Sequence, residues 1–161
     1  MRLDLTPPKA GRSETLTFPG LAEGEGESRI TPSWRLALPS VASLRAARSL
    51  AYRAVPGRDE GEGEKAYVDR LRDHLAAHGA ILPEGRLDLM ARVEGATEAV
   101  VLSAHAEALI LDWDGFGDAE GEAIEPDAVS IRAAMRIPYV SGRFENWLNR
   151  KLAGISQEGN G

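Results

Sequence analysis

The three histidines, His74, His78 and His105, are the side chains best suited to metal binding or proton transfer near neutral pH. His74 and His78 are four residues apart, a spacing that places two imidazoles on one face of a helix. The residues between them are Leu, Ala and Ala, so the glutamate of the HExxH zinc motif is missing, and no third ligand is identifiable. We interpret the pair as surface residues near a helix end, and His105 as a core residue with a hydrogen-bond partner.

A run of acidic residues after position 111 invites comparison with a calcium-binding loop. Positions 1, 3, 6 and 7 of the EF-hand pattern are matched by Asp112, Asp114, Gly117 and Asp118. Position 5 would be Phe116 and position 12 would be Ala123, so two oxygen ligands and one compensating charge are missing. We therefore predict a solvated acidic loop, with no bound metal and no other cofactor.

Other catalytic patterns are also missing from the sequence. There is no cysteine and no GxxxxGK[ST] phosphate-binding loop, and Ser103 is outside a GxSxG motif. Because no acid, base and nucleophile can be named together, we predict that the chain is not an enzyme, with a metal-dependent or hydrolytic enzyme as a distant alternative. Arg45 and Arg48 could form a small basic patch, but the net charge of −6 disfavours binding to nucleic acid or anionic membranes.

Charge is distributed unevenly along the chain. The first 57 residues carry eight basic and five acidic side chains, a net charge of +3, and the remaining residues carry −9. Between residues 93 and 131 there are ten acidic side chains and no lysine or arginine. The N-terminal third of the chain is therefore basic and the rest is acidic.

Periodicity, proline and glycine predict short strands first and helices afterwards. Alternation with a period of two predicts strands at 3–5, 15–18 and 34–38, and the Gly/Glu-rich segments 22–28 and 57–64 are predicted loops. Caps and apolar stripes predict six helices, approximately at 41–55, 64–78, 83–92, 97–111, 126–136 and 138–152. Ser40 and Thr97 are the predicted N-caps of the first and fourth helices, and Pro126 the first residue of the fifth. The fourth helix has almost no polar face, so we expect it to be enclosed on most sides.

The predicted fold class is α+β, a mainly helical single domain with a small N-terminal β-sheet or hairpin. Its parts are an N-terminal β element at 1–38, a helical domain at 39–155 and a flexible tail at 156–161. No apolar stretch reaches the ~20 residues that a membrane-spanning helix needs, and no signal peptide is apparent. We therefore expect a soluble cytosolic protein without a membrane partner.

The segment from Ala108 to Leu152 resembles the tail assembly chaperones of long-tailed bacteriophages and prophages. In that pattern an apolar helix is followed by a Trp-x-Gly turn, an acidic D-x-x-G loop, a Pro- or Ser-initiated helix and a closing aromatic helix. The matching residues are Trp113, Gly115, Asp118, Gly121, Ile124, Pro126, Val129, Pro138, Val140 and Phe144. The likeness covers about 45 residues. The helix near residue 45 and the loop at 57–64 do not fit the pattern.

This resemblance implies a non-catalytic role. Chaperones of this family bind the hydrophobic tape measure protein and keep it soluble until tail tube subunits polymerise around it, and the finished particle does not contain them. The resemblance therefore implies that this chain is located in the bacterial host cytoplasm and not in the mature virion. The implied partners are the tape measure protein and, as a second candidate, the tail tube protein. A structural virion component, such as a head-tail connector or tail terminator subunit, is the first alternative.

Aromatic and aliphatic side chains would carry such binding, because they are enriched at interface hot spots and exposed apolar patches. The candidate partner-binding residues are Trp113, Phe116, Tyr139, Val140, Phe144, Trp147 and Leu148. The last five recur at helical spacing and form one amphipathic face. The alternative for this face is that it packs on the helix at 97–111 as intramolecular core.

Overall fold

A computed structural model describes residues 11–160, with side chains described up to residue 154. The elements are β1 (Ser13–Thr17), β2 (Ser33–Ala37), α1 (Val41–Ala54), α2 (Glu64–Ala77), α3 (Leu89–Leu109), β3 (Ile110–Asp114), α4 (Ala128–Met135) and α5 (Pro138–Asn160). The predicted α+β class with mainly helical content is confirmed. The strand predicted at 3–5 lies outside the described residues.

The three strands form one antiparallel sheet in the order β1-β2-β3. Leu16 pairs with Trp34, and Trp34 pairs in turn with Trp113. Alternate residues of a strand share a face, and Leu16, Trp34 and Leu36 are all buried in the cluster between the sheet and the helices. The strands predicted at 15–18 and 34–38 are therefore confirmed to within two residues.

The first two helices begin and end where local signals indicate. The Ser40 hydroxyl accepts a hydrogen bond from Ser43 N, and the Ser43 hydroxyl accepts one from Ser40 N, which is a reciprocal capping box at the start of α1. Helix α2 is followed by Gly79 with a φ of +66°, the left-handed conformation that glycine adopts most readily. The predicted bounds of both helices are confirmed to within one residue.

One long helix, α3, replaces two helices that the sequence predicts. The separate helices predicted at 83–92 and 97–111 are wrong, because the chain is helical without a break from Leu89 to Leu109. Asp88 caps the N-terminus of α3. Thr97 lies inside the helix, and its hydroxyl donates to the carbonyl one turn earlier instead of capping a new helix.

The chain passes directly from α3 into β3, so residues 110–114 are strand rather than the end of a helix and a loop. The helix prediction fails there because pairing with β2 decides the conformation of these residues. Helix α4 begins at Ala128 with Asp127 as its N-cap, and not with Pro126 as its first residue. Helix α5 begins at Pro138 as predicted and extends to Asn160, so most of the predicted tail has a helical backbone.

Two clusters of buried side chains meet along α3. One lies between the sheet and the two C-terminal helices, and its largest fully buried members are Trp34, Phe18 and Phe144. The other lies between α1, α2 and α3 and includes Leu71 and Leu75. Helix α3 contributes to both clusters, as expected for an enclosed helix. Along residues 11–160, none of the helices is both long enough and apolar enough to cross a membrane.

Candidate partner-binding site

Four of the seven candidate residues lie in the hydrophobic core. Val140, Phe144, Trp147 and Leu148 are each at most 4% exposed, and the rings of Phe144 and Trp147 stack with 5.8 Å between their centres. The apolar face of α5 therefore packs inside the domain, which is the alternative given above for this face. Because a partner cannot reach a buried side chain, these four residues stabilise the fold, and Trp113, Phe116 and Tyr139 remain as candidates for partner binding.

The other three candidates, Trp113, Phe116 and Tyr139, keep part of their surface exposed. Trp113 and Phe116 stack with their ring centres 4.9 Å apart, and Phe116 also meets Phe18 edge to face. The Tyr139 hydroxyl accepts a hydrogen bond of 2.8 Å from the backbone N–H of Gly20. This bond ties the start of α5 to the segment that follows β1. Of the three aromatic residues, Phe116 lines a concave surface, and Trp113 and Tyr139 contact residues that line it, Phe116 and Gly20.

That concave surface is a groove of about 850 Å³ between the segment 20–32 and the turn 114–123. Its large apolar lining residues are Leu21, Ile30, Phe116 and Ile137. Ile30 is 59% exposed and Ile137 is 41% exposed. Apolar side chains that line an open groove and remain partly exposed are typical of a binding site for another protein.

The two segments that border the groove are strongly negative. Residues 19–32 and 114–123 carry one arginine and seven carboxylates, which are Glu23, Glu25, Glu27, Asp114, Asp118, Glu120 and Glu122. Among the side chains that the structure describes, none forms an ion pair with any of the seven. Unpaired like charges around a concave surface favour cationic groups there. We call this feature the acidic groove.

The acidic turn that forms one wall of the groove is held in shape by Asp118 and by glycine. The Asp118 carboxylate accepts hydrogen bonds from the backbone N–H groups of Glu120 and Glu122, at 3.0 and 2.9 Å. Gly115 has a φ of +76°, and a Cβ at this position would lie 2.9 Å from the Cα of Pro32. The predicted acidic loop is therefore an ordered turn whose close approach to the chain before β2 requires glycine.

A second cavity, of about 330 Å³, lies between α1, α3, α4 and the residues after α2. Arg132 and Glu107 line it and form a bidentate ion pair with N–O distances of 2.7 and 3.2 Å. Both side chains are mostly buried, so the pair joins α3 to α4. The buried Ser103 hydroxyl has no hydrogen-bond partner in the described part of the chain, so no base is placed to activate it as a nucleophile.

The histidines do not converge on one site. His74 is exposed, and the Nδ1 of half-buried His78 lies 2.9 Å from the His74 carbonyl oxygen at the end of α2. His105 is buried within α3, and its Nδ1 has no hydrogen-bond partner among the described residues, contrary to the prediction of a partner. Within the ranges that the structure covers, no group of three or more His, Asp or Glu side chains is arranged to hold a metal ion.

Replacing His105 by leucine is expected to reduce the loss of stability on acidification. Burial, with a smaller contribution from the nearby Arg48 cation, lowers the pKa of His105 from its ordinary value of 6.5. Below that value this histidine binds a proton more readily in the unfolded chain than in the folded chain, so the free energy of unfolding falls as pH falls. The melting temperature should therefore decrease less for His105→Leu than for the wild type between about pH 7 and about pH 5. Equal decreases in the two proteins would contradict this assignment.

Among the described lining residues of the groove, Phe116 is the one predicted from the sequence to bind a partner, whereas Leu21, Ile30 and Ile137 were not predicted. Leu21 and Ile30 flank a Gly/Glu-rich loop, which a bridge between Glu23 and Ile30 closes. Ile137 stands alone between α4 and α5. Isolated apolar residues show no periodicity, so their shared location becomes visible only in the folded chain.

Comparison with known proteins adds no relative to this picture. No protein-family model matches the chain, and no curated protein or solved structure is significantly similar to it. The acidic groove therefore has to be interpreted from its own geometry and chemistry.

Proposed function

We propose that this chain is a non-catalytic phage or prophage tail assembly chaperone, which binds the hydrophobic tape measure protein through the acidic groove. The observation that carries the proposal is the groove itself, with an exposed apolar lining between two segments rich in unpaired carboxylates. Apolar surface of this kind can cover an exposed apolar segment of another polypeptide. The surrounding negative charge keeps such a complex dissolved.

The position of the sequence resemblance adds support. Gly115, Asp118 and Gly121 belong to the pattern that resembles tail assembly chaperones, and all three line the groove. Trp113, which belongs to the same pattern, stacks on Phe116 in the groove wall. The part of the chain that resembles the family thus forms one side of the proposed binding surface.

The proposed role places the chain in the cytoplasm of the bacterial host and outside the mature virion. Its main partner is the tape measure protein, and the tail tube protein is a second candidate partner. The role requires no cofactor, nucleic acid or membrane, since covering apolar surface involves no bond-making step.

Co-expression with the tape measure protein of the same phage or prophage tests the proposal. The wild-type chain should raise the soluble fraction of the tape measure protein and co-purify with it. Ile137→Asp should weaken both effects, because it places a charge in the apolar lining of the groove. Leu87→Asp is the matched control, since Leu87 is also an exposed aliphatic residue but does not line the groove.

Mass spectrometry of purified particles separates the chaperone from a structural virion component. A chaperone should be missing from particles and abundant in assembly intermediates. Many copies of this chain in mature virions would instead identify a connector or terminator subunit. Failure of the wild-type chain to bind the tape measure protein at all would overturn the proposal.

A further inference from the structure

We propose that the acidic groove of one copy binds an arginine-bearing stripe of helix α1 from a second copy of this chain. The stripe, which we call the α1 stripe, consists of Val41, Arg45, Arg48 and Tyr52. The proposal goes beyond the chaperone function and does not depend on it, because both surfaces belong to this chain.

The α1 stripe is basic, partly apolar and exposed. Its residues recur at i, i+4, i+7 and i+11, so they follow one line along about 16 Å of helix. Val41 is 67% exposed and Tyr52 is 79% exposed. Arg45 and Arg48 are exposed too, and neither is in an ion pair with a described side chain. Arginine next to an exposed aromatic ring is typical of a protein interface.

A different face of α1 holds the helix in the domain. Ala47, Ala51 and Ala54 are the buried residues of α1, and the helix packs against α2 and α3. Within α1 there is no acidic residue to neutralise the arginines. The packing therefore fixes the helix while the α1 stripe remains on the surface.

The acidic groove offers the complementary chemistry. Its carboxylates can accept paired hydrogen bonds from the guanidinium groups of Arg45 and Arg48. Its exposed Ile30 and Ile137 can cover Val41 and the ring of Tyr52. Nucleic acids and anionic lipids present phosphate, which the carboxylates repel, whereas a basic helix with apolar neighbours matches both features of the groove.

The two surfaces must come from different copies. Groove residues belong to the segment 20–32, the turn 114–123 and Ile137 just before α5, whereas α1 is fixed against α2 and α3. Each docking event leaves one free groove and one free stripe, so association is head to tail and continues into chains or a closed ring. If the groove also serves the tape measure protein, as proposed above, docking of a second copy and binding of that protein exclude each other.

Sedimentation velocity of the purified wild-type chain over a range of concentrations tests the proposal. At low salt we expect dimers and longer oligomers whose population grows with concentration. At about 1 M salt, where the screening length falls to ~3 Å, association should weaken at least about tenfold. The tape measure protein is not part of this measurement, so its result is independent of the proposed chaperone function.

Charge reversal at each surface gives the decisive comparison. The arginine variant carries Arg45→Glu and Arg48→Glu, and the glutamate variant carries Glu23→Lys and Glu120→Lys. The carboxylates of Glu23 and Glu120 make no hydrogen bond or ion pair with the described side chains. The arginine variant alone should be monomeric, because its groove and its reversed stripe then repel one another. In the glutamate variant the net charge of the two groove segments falls from −6 to −2, so it should associate at least about tenfold more weakly than the wild type. Mixing the two variants should restore association, because each supplies what the other lacks. A control with Lys65→Glu and Arg86→Glu changes the net charge by −4, as the arginine variant does, but at positions outside both surfaces, and should associate like the wild type.

Every outcome of this comparison decides the matter. A folded wild-type chain that remains monomeric at low salt overturns the proposal, and so does association that survives both reversals or a mixture that stays monomeric. Circular dichroism establishes that the variants are folded. Arg45→Ala with Arg48→Ala, together with the salt series on the wild type, keeps the test valid if a reversed variant fails to fold.

Discussion

Phe144→Asp is expected to leave the chain largely unfolded at room temperature. Phe144 is fully buried, and its ring centre lies 5.8 Å from that of Trp34 and 5.8 Å from that of Trp147. Truncating a buried phenylalanine costs about 3–5 kcal/mol. An unpaired carboxylate in the same place costs several kcal/mol more. The sum is comparable with the whole stability of a domain, which is about 5–15 kcal/mol.

Circular dichroism and size-exclusion chromatography measure this effect directly. Val129→Asp is the control, since Val129 is 74% exposed and follows the N-cap of α4, where a negative charge is favourable. The control should fold like the wild type. A folded Phe144→Asp protein that loses only its partner would place the aromatic face of α5 at an interface and contradict the core assignment.

Trp34→Ala is expected to lower the free energy of unfolding by about 3–5 kcal/mol. Trp34 is fully buried at the centre of the sheet, with ring centres of Phe18, Phe144 and Trp113 at 4.9, 5.8 and 6.4 Å. Removing the indole withdraws apolar contacts from both outer strands and from α5 at once. Urea denaturation followed by circular dichroism gives the change in the free energy of unfolding.

Two further variants show whether this loss comes from packing. Trp34→Phe should cost clearly less, because it keeps an aromatic ring and removes an indole N–H that has no hydrogen-bond partner in the described structure. Ile30→Ala, at a residue that is 59% exposed, should change the free energy of unfolding by no more than about 0.5 kcal/mol. A Trp34→Ala protein as stable as the wild type would show that the aromatic cluster does not hold the sheet to α5.

Helices α1 and α2 were predictable because their signals are local. The capping pair Ser40 and Ser43 and the glycine at position 79 act within a few residues of each helix end, so the sequence contains them directly. Such signals mislead where a residue has two roles. Threonine is a common N-cap residue, but its hydroxyl can also donate to the carbonyl one turn earlier in a helix. The hydroxyl of Thr97 does so within α3.

Strand β3 was not predictable from local pattern. Its first residues continue the apolar run of α3, and only pairing with β2 distinguishes Ile110 from the last residue of a helix. Its partner strand lies before three helices in the sequence, so no short-range pattern reports the contact. The predicted α+β class is still correct, because it depends on the presence of strands and helices and not on their number.

The candidate site was predictable only in part. Periodicity places Tyr139, Val140 and Phe144 on one face of α5, but it does not reveal whether a neighbouring element covers that face. The sheet and α3 cover Val140 and Phe144 and leave Tyr139 partly exposed, bonded to Gly20 in the lining of the acidic groove. The stacked pair Trp113 and Phe116, on β3 and its following turn, packs against the core on one side and stays half-buried.

The direct junction between α3 and β3 also bears on the order in which the chain folds. Joining β2 to β3 closes a loop that contains three helices, and loop closure costs entropy before strand pairing can compensate for it. A docked α3 lowers that cost because Leu109 leads straight into Ile110 and delivers the strand to its partner. We therefore expect the helices to assemble first and β3 to join last. The acidic groove then exists only on fully folded chains, so nascent or partly folded copies do not compete for its ligands.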